Sequence, residues 1–317
     1  MENIEIIIID DCSTDQTLNK LNEYDFQGVS HNIIDLRKEE NHQKLKYQYK
    51  KGSIDLGIEQ SQNPYIITTD ADTIRNNEWL ISIHHKIKSL SNNPKLISAP
   101  VQLTSNNPKN YFEQWQILEF AGLNAIGGAS IENKDFNMCN GANLIYLKSA
   151  YMEIDGFKGV EKQSSGDDEY LMHKIAQKYP EDVHFLKDQN AMVYTNVQVS
   201  LADFLNQRKR WVSKSTTYVK KRITYQLTMV WAFCLCLVIN FMIGIFQPQI
   251  GILFLVMFII KILTEIRFYS LICPFYKIEG WKINLIQSSF LHGLYVSFIA
   301  FYAQVGTFKW KDRVLKR

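Results

Sequence analysis

Pro64-Tyr65-Ile66-Ile67-Thr68-Thr69-Asp70-Ala71-Asp72-Thr73 is a short apolar, β-branched run that ends in two acids one residue apart. Gly, Pro and Asn punctuation flanks it, so it reads as a buried strand that stops at its acids. In an open α/β sheet, ligands bind beyond the carboxyl ends of the strands, where these acids sit. Side chains at i and i+2 of an extended segment share a face, so Asp70 and Asp72 reach one centre if the strand geometry persists. Two hard oxygen donors suit a Mg²⁺ or Mn²⁺ that also binds substrate phosphates. The same residues suit a plain strand-end turn with solvated acids. The company the motif keeps decides between the two.

Outward from this stretch, the 317 residues have room for one large domain or two. A net charge of +3 is too small to argue for nucleic acid. Cys12, Cys139, Cys234, Cys236 and Cys273 are odd in number and form no C-x-x-C pair, which argues against a disulfide framework or a zinc site. The polar part therefore reads as a reduced, cytoplasmic domain. Composition changes after Arg222: Ile223 to Ile260 contains no Asp, Glu, Lys or Arg. That exceeds one membrane span, and Gln247-Pro248-Gln249 breaks it into two helices, the second running to about Tyr276. A third apolar stretch runs from Ile283 to Gly306, with His292 inside it. The expected organisation is a soluble domain over 1–222, membrane helices over 223–308 and a basic tail over 309–317.

Within the soluble part, Ile4 to Ile9 reads as an apolar strand of a parallel sheet, ending in Asp10-Asp11-Cys12-Ser13-Thr14-Asp15. Ser13 or Thr14 is placed to cap a helix beginning near Asp15, and one of the two leading acids is placed to accept a hydrogen bond from a base or ribose. Ile33 to Leu36 is a second strand. Lys44 to Gln60 reads as a helix, with Lys50 and Lys51 near its start and placed either on a solvated face or against a diphosphate. The order β, α, β, α, β is half of a nucleotide-binding α/β domain. Leu96 to Val101 is a further strand, and Tyr111 to Asn124 a helix. Met138-Cys139-Asn140-Gly141-Ala142-Asn143 is a small-residue turn into a strand, where Gly141 suggests close backbone approach. Ser164-Ser165-Gly166-Asp167-Asp168-Glu169 puts three acids in a first helical turn, favoured by the helix dipole. Near the apolar boundary, Gln207, Arg210 and Trp211 share one helix face at i, i+3 and i+4. That face offers an amide, a guanidinium fork for phosphate and an indole for a sugar ring. Arg208, Lys209, Arg210, Lys214, Lys220, Lys221 and Arg222 also fit a juxtamembrane basic helix.

Taken together, the DDCSTD turn, KKGSIDLGI helix, TTDADT strand end, CNGANLIY turn, GDDEYL helix start and QRKRW resemble a family-2 glycosyltransferase. The chain is similar to the membrane-attached branch that includes cellulose and hyaluronan synthases. The resemblance covers 1–222 in detail and the membrane part in kind. It implies a nucleotide-sugar-binding, Rossmann-like GT-A fold of α/β class with C-terminal transmembrane helices. It also implies an inverting transfer from a nucleotide-diphosphate sugar, UDP-linked by preference, to a glycan or lipid-linked acceptor. Carried over by motif, Asp11 or Asp10 contacts the base and Lys51 lies near the nucleotide. Asp70 and Asp72 hold the Mg²⁺ or Mn²⁺, and Gln207 and Arg210 hold the diphosphate. Trp211 stacks on the acceptor, with Asn140 and Gly141 beside it. Asp168 is the general base, with Asp167 in the position before it. The family implies cell-surface polysaccharide synthesis at the cytoplasmic membrane, with the catalytic domain inside the cell.

Family members carry another strand and helix ahead of the DDCSTD strand, so the sequence reads as N-terminally truncated. Three spans would also place the basic tail outside, against the positive-inside rule, which points to a re-entrant or interfacial third stretch or to a misread span. Two other readings compete. A haloacid-dehalogenase-like phosphatase also uses a strand ending in D-x-D, but Thr73-Ile74 fits its pattern poorly and QRKRW is left without a role. A catalytically degenerate membrane scaffold would keep the fold without turnover.

Overall fold

The computed structural model describes residues 4–47, 49–161, 165–213, 221–303, 308–310 and 313–315. Ser164, Lys214, Lys220 and, in the tail, Lys311, Asp312, Lys316 and Arg317 lie outside the described residues.

The chain begins β1 (Glu5–Asp10), α1 (Thr17–Glu23), β2 (Ser30–Asp35), α2 (Glu39–His42), α3 (Tyr49–Gln60), β3 (Tyr65–Thr68) and β4 (Ile74–Arg75). Then come α4 (Trp79–Ser89), β5 (Leu96–Ser98), β6 (Val101–Thr104) and the long α5 (Tyr111–Glu132). A 3₁₀ turn at Gly141–Asn143 feeds β7 (Leu144–Leu147), followed by α6 (Lys148–Glu153) and α7 (Asp167–Lys178). After a second 3₁₀ turn at Pro180–Asp182 come β8 (Val183–Phe185), β9 (Val193–Asn196) and α8 (Leu201–Ser213). The C-terminal part is α9 (Lys221–Gly244), α10 (Pro248–Tyr276), α11 (Leu285–Tyr302) and a hairpin of β10 (Phe308–Trp310) and β11 (Arg313–Leu315).

Two compact units interleave along the chain: 1–71, 80–99 and 130–187 form one, and 72–79, 100–129 and 188–317 form the other. In the first, β1 pairs in parallel with β2, and β3, β7, β5 and β8 make a four-stranded sheet. That sheet is mixed, because β3 and β5 both run antiparallel to β7 while β5 and β8 are parallel. The parallel pairing expected for the Ile4–Ile9 strand is present, between β1 and β2, while the four-stranded sheet is mixed. Its core gathers Leu96, Leu144 and Tyr146 from strands, Ile58 from α3, and Leu171, Met172 and Ile175 from α7. Burying such apolar side chains supplies most of the driving force for folding.

In the second unit, β4, β9 and β6 form a three-stranded sheet. The single strand expected over Leu96 to Val101 is two strands in different sheets, split at Ala99-Pro100. Pro100 has no N–H to give to a ladder, so pairing is interrupted there. The three C-terminal helices are each long and apolar enough to cross a membrane. They turn large apolar side chains outward, such as Met229, Leu263 and Ile286 at 61–73% exposure. In water such surfaces would be costly. Other boundaries also move. The helix expected from Lys44 begins at Tyr49, and α5 continues to Glu132 instead of Asn124. Helix α1 starts at Thr17, and Asp15, in place of Ser13 or Thr14, accepts the Thr17 N–H at 2.9 Å.

Inside the first unit the buried Tyr151 hydroxyl donates to the buried Asp55 Oδ1 at 2.6 Å. Burial pushes the Asp55 carboxyl above its ordinary range, and the Tyr151 bond pulls it back. An acid whose folded pKa is raised favours the fold most when protonated, so its contribution declines as pH rises through that pKa. Tyr151→Phe removes the bond that tolerates the ionised form. It should cost about 1.5–3 kcal/mol at neutral pH, with the deficit shrinking as acid neutralises Asp55. Thermal melts at neutral and mildly acidic pH check this, and a pH-independent deficit contradicts it.

Candidate active site

The site is built where three turns of the first unit meet: the end of β3, the turn into β7 and the start of α7. Strand β3 stops at Thr68, and its Oγ1 donates to the Gly141 and Leu144 carbonyls at 3.0 and 3.3 Å. This ties the end of the D-x-D strand to the turn before β7. In that turn Asn140 Oδ1 accepts the Ala142 N–H at 3.0 Å, closing the 3₁₀ turn in the way an N-cap does. The Gly141 N–H then donates to Asp168 Oδ2 at 2.9 Å. A Cβ on Gly141 would stand 3.3 Å from the Asp168 Cβ, a tight contact that would push the turn and helix apart by a few tenths of an ångström.

Helix α7 starts after Gly166, which has φ +84°. Asp167, Asp168 and Glu169 fill its first turn, where the helix N-terminus favours negative charge. Asp168 Oδ1 accepts the Glu169 N–H at 2.9 Å. Both Asp168 oxygens are thus held by backbone N–H groups, which orients the carboxylate while leaving lone pairs for another donor.

Lys50 supplies the positive charge. Its Nζ lies 2.7 Å from Asp70 Oδ1 and 3.9 Å from Asp167 Oδ2. Burial acts against its charge, but Asp167 and Asp70 outweigh that and hold the ammonium above the ordinary lysine range. Lys51, the residue named from sequence, is instead 2% exposed, with its Nζ 5.8 Å from the Tyr170 ring centroid. A cleft among Ile54, Thr68, Gly141, Tyr146, Asp167 and Asp168 closes the arrangement. The buried Tyr146 hydroxyl there has no hydrogen-bond partner among the described residues.

The remaining sequence-derived residues take these places. Asp10 is buried and its Oδ2 accepts the Ser13 N–H of its own turn at 3.2 Å, while Asp11 is half-buried. Asp70 lies past the end of β3, and Asp72 is an exposed turn residue of the second unit. The extended geometry that would have put both acids on one face stops before them, at Thr68. No group of three or more His, Cys, Asp or Glu suited to a metal occurs among the described residues. Gln207, Arg210 and Trp211 are half-buried on α8 of the second unit. Arg208 and Lys209, two of the residues read from sequence as a juxtamembrane basic helix, are 1% and 5% exposed.

Residues 1–155 match the family model of glycosyl transferase family 2. The match covers just under half of the chain, and the architecture around it is mixed α/β with three apolar helices behind it. The family match takes in Asp10, Asp11, Lys50, Lys51, Asp70, Asp72, Asn140 and Gly141, and ends before Asp167. Similar solved structures include S. aureus TarS 1–349 in complex with UDP-GlcNAc, 16% identical, covering 67% of this chain and 57% of that chain, TM-score 0.42. S. aureus TarS 1–349 is also matched at 13% identity over 98% of this chain and 86% of that chain, TM-score 0.43. A mycobacterial protein is matched at 12% identity over 66% and 62%, TM-score 0.39. In the first and third of these the chain spans less than two thirds of the matched chain's length. No curated protein sequence matches the chain.

Thr68 and Tyr146 carry no role in the sequence reading, and the choice between Lys50 and Lys51, both noted there, falls on Lys51 for a physical reason. The buried stripe of α3 runs through Lys51, Asp55 and Ile58, so two of its inward positions are polar and the apolar spacing does not reveal which lysine faces the acids. The two lysines are separable by stability. Lys50→Gln breaks a half-exposed pair and should cost less than about 1 kcal/mol. Lys51→Gln, at a buried position, should cost about 1–3 kcal/mol. Melting of the two variants measures the order, and a larger loss from Lys50→Gln contradicts it.

Proposed function

We propose that the chain is an inverting glycosyltransferase that moves a sugar from a nucleotide-diphosphate sugar, UDP-linked by preference, to a glycan or lipid-linked acceptor. The observation that carries this reading is the Asp168 carboxylate, fixed at both oxygens by the Gly141 and Glu169 N–H groups beside the end of the D-x-D strand. A general base needs this kind of fixed orientation before it can take a proton from an attacking hydroxyl. In the proposed reaction the acceptor hydroxyl gives its proton to Asp168 as its oxygen attacks the anomeric carbon. The bond to the nucleoside diphosphate breaks on the opposite side. One base and one displacement invert that carbon.

Asp70 and Asp72 would hold a Mg²⁺ or Mn²⁺. Each is a hard carboxylate with solvent access, and such ions need only one or two protein acids when phosphates complete the shell. When bound, the ion stabilises negative charge on the departing diphosphate. Lys50 already occupies part of that electrostatic role, pairing with Asp70 in a contact worth about 0–1 kcal/mol, which an incoming ion or phosphate displaces at small cost. Asp11, rather than the turn-engaged Asp10, is assigned to the base, with Lys51 behind the nucleotide. Gln207 and Arg210 are assigned to the diphosphate, and Trp211, with Asn140 and Gly141, to the acceptor. The three helices long and apolar enough to cross a membrane support a reaction at a membrane, and we assign it to the cytoplasmic face and to surface polysaccharide synthesis.

Asp168→Asn tests the assignment. Asn keeps an oxygen for the Gly141 N–H but takes no proton, so transfer should fall by on the order of 10²–10⁴. Nucleotide-sugar binding, read by calorimetry with Mn²⁺, should persist, and Asp167→Asn should be milder. Equal losses from both variants, or loss of donor binding in Asp168→Asn, would overturn the roles. A wild-type protein that binds donor and never transfers would be a degenerate scaffold.

A further inference from the structure

In the second unit, Arg208 is one of the most deeply buried side chains of the molecule, at 1% exposure. Its Nη2 donates to Glu119 Oε2 at 2.5 Å, and Glu119 is itself buried on α5. The remaining guanidinium nitrogens, Nε and Nη1, have no hydrogen-bond partner among the described residues. Aromatic faces receive the cation instead. Its Cζ lies 4.1 Å from the Trp211 ring centroid and 4.8 Å from that of Phe204. Phe120, next to Glu119 on α5, packs against Trp211 with centroids 5.9 Å apart.

We propose that Glu119 and Arg208 are a positioning pair that fixes the Trp211 indole for the acceptor; this rests on the reading of Trp211 as the acceptor-stacking residue. Arg208 and Trp211 are three residues apart on α8 and therefore share a helix face. A guanidinium stacked on an indole holds the ring only if the guanidinium is itself held. The Glu119 bond does this, since it fixes one edge of a planar group. The chain of control runs from α5 through Glu119 to Arg208, and from Arg208 to one face of Trp211. The part of the half-buried indole that reaches solvent is the part we assign to the sugar. A merely structural ion pair needs no particular aromatic partner, and replacing both charges by apolar side chains of similar size commonly preserves stability. A positioning pair does not survive that replacement, because the cation over the ring is gone.

The test uses the full chain in detergent, labelled with 5-fluorotryptophan, with the Trp211 ¹⁹F resonance assigned by Trp211→Phe. Glu119→Gln should shift or split the Trp211 resonance and leave that of Trp231 in place. It should raise acceptor KM by about 10-fold, as expected for loss of one oriented cation–π contact, while donor KM holds. Where Glu119→Gln folds poorly, the double variant Glu119→Leu/Arg208→Met decides. Its melting temperature should return to that of the wild type while the Trp211 resonance stays displaced and acceptor KM stays high. An unmoved Trp211 resonance in folded Glu119→Gln, or recovery of both melting temperature and acceptor KM in the double variant, would overturn the proposal. The resonance needs no substrate, so it judges the pair independently. A wild type that transfers nothing would overturn the glycosyltransferase reading and not the pair.

Discussion

A backbone N–H donating to a carboxylate, Gly141 to Asp168 at 2.9 Å, is the contact on which the candidate site depends. It joins the turn before β7 to the first turn of α7. Three other features converge on it. Thr68 ties the end of β3 to the same turn, Asn140 closes the turn, and a glycine at 141 allows the close approach. Without a side chain at 141, an acid at the helix start sits against backbone at van der Waals distance. With one, the contact would tighten to 3.3 Å and the two elements would shift by a few tenths of an ångström. The acids beside it, Asp167 and Asp70, would repel if left alone, and the Lys50 ammonium stands between them. Charge balance and close packing are thus solved by the same few residues.

The second unit meets a different constraint, that buried charge must be paired. Arg208 is matched by Glu119, and in α10 Lys261 bonds Glu265 and, at 2.8 Å, Ser289 of α11. Burial pushes the Glu119 carboxyl upward, and Arg208 only partly opposes it. In a helix otherwise apolar enough to cross a membrane a buried charge is costly, and Lys261 is held by Glu265 and Ser289.

Much of this was legible from residue patterns. The β-branched runs at Ile4 and Tyr65, the glycine at 141, the acids of a helix start at 167–169 and the apolar tracts all mark elements that exist in the structure. These features are local: strand propensity, turn chemistry and helix-dipole preference act within a few residues. Sheet order was not legible, because β3 pairs with β7 some eighty residues later and runs antiparallel to it. Nor was the break at Pro100, where the run of apolar residues continues but the ladder cannot. The cut at 222 marks where apolar composition begins. The compact units follow contacts instead, and they interleave. Charge was the least legible quantity. A cluster of Arg and Lys reads as a solvated surface, yet Arg208 and Lys209 are buried because Glu119 and the ring of Tyr302 lie beside them. Sequence spacing on one helix cannot reveal a partner on another.

The functional account reduces to one displacement at one carbon, assisted by one base. In the proposed reaction Asp168 acts as base and no carboxylate acts as nucleophile, so no covalent sugar intermediate forms. The most direct test is the anomeric configuration of the product. The purified wild-type protein would be supplied with an α-linked nucleotide-sugar, Mn²⁺ and an acceptor, and the new linkage followed by ¹H NMR from the first turnovers. The account predicts a β-linked product, with inversion at the anomeric carbon. An α-linked product formed directly would contradict it.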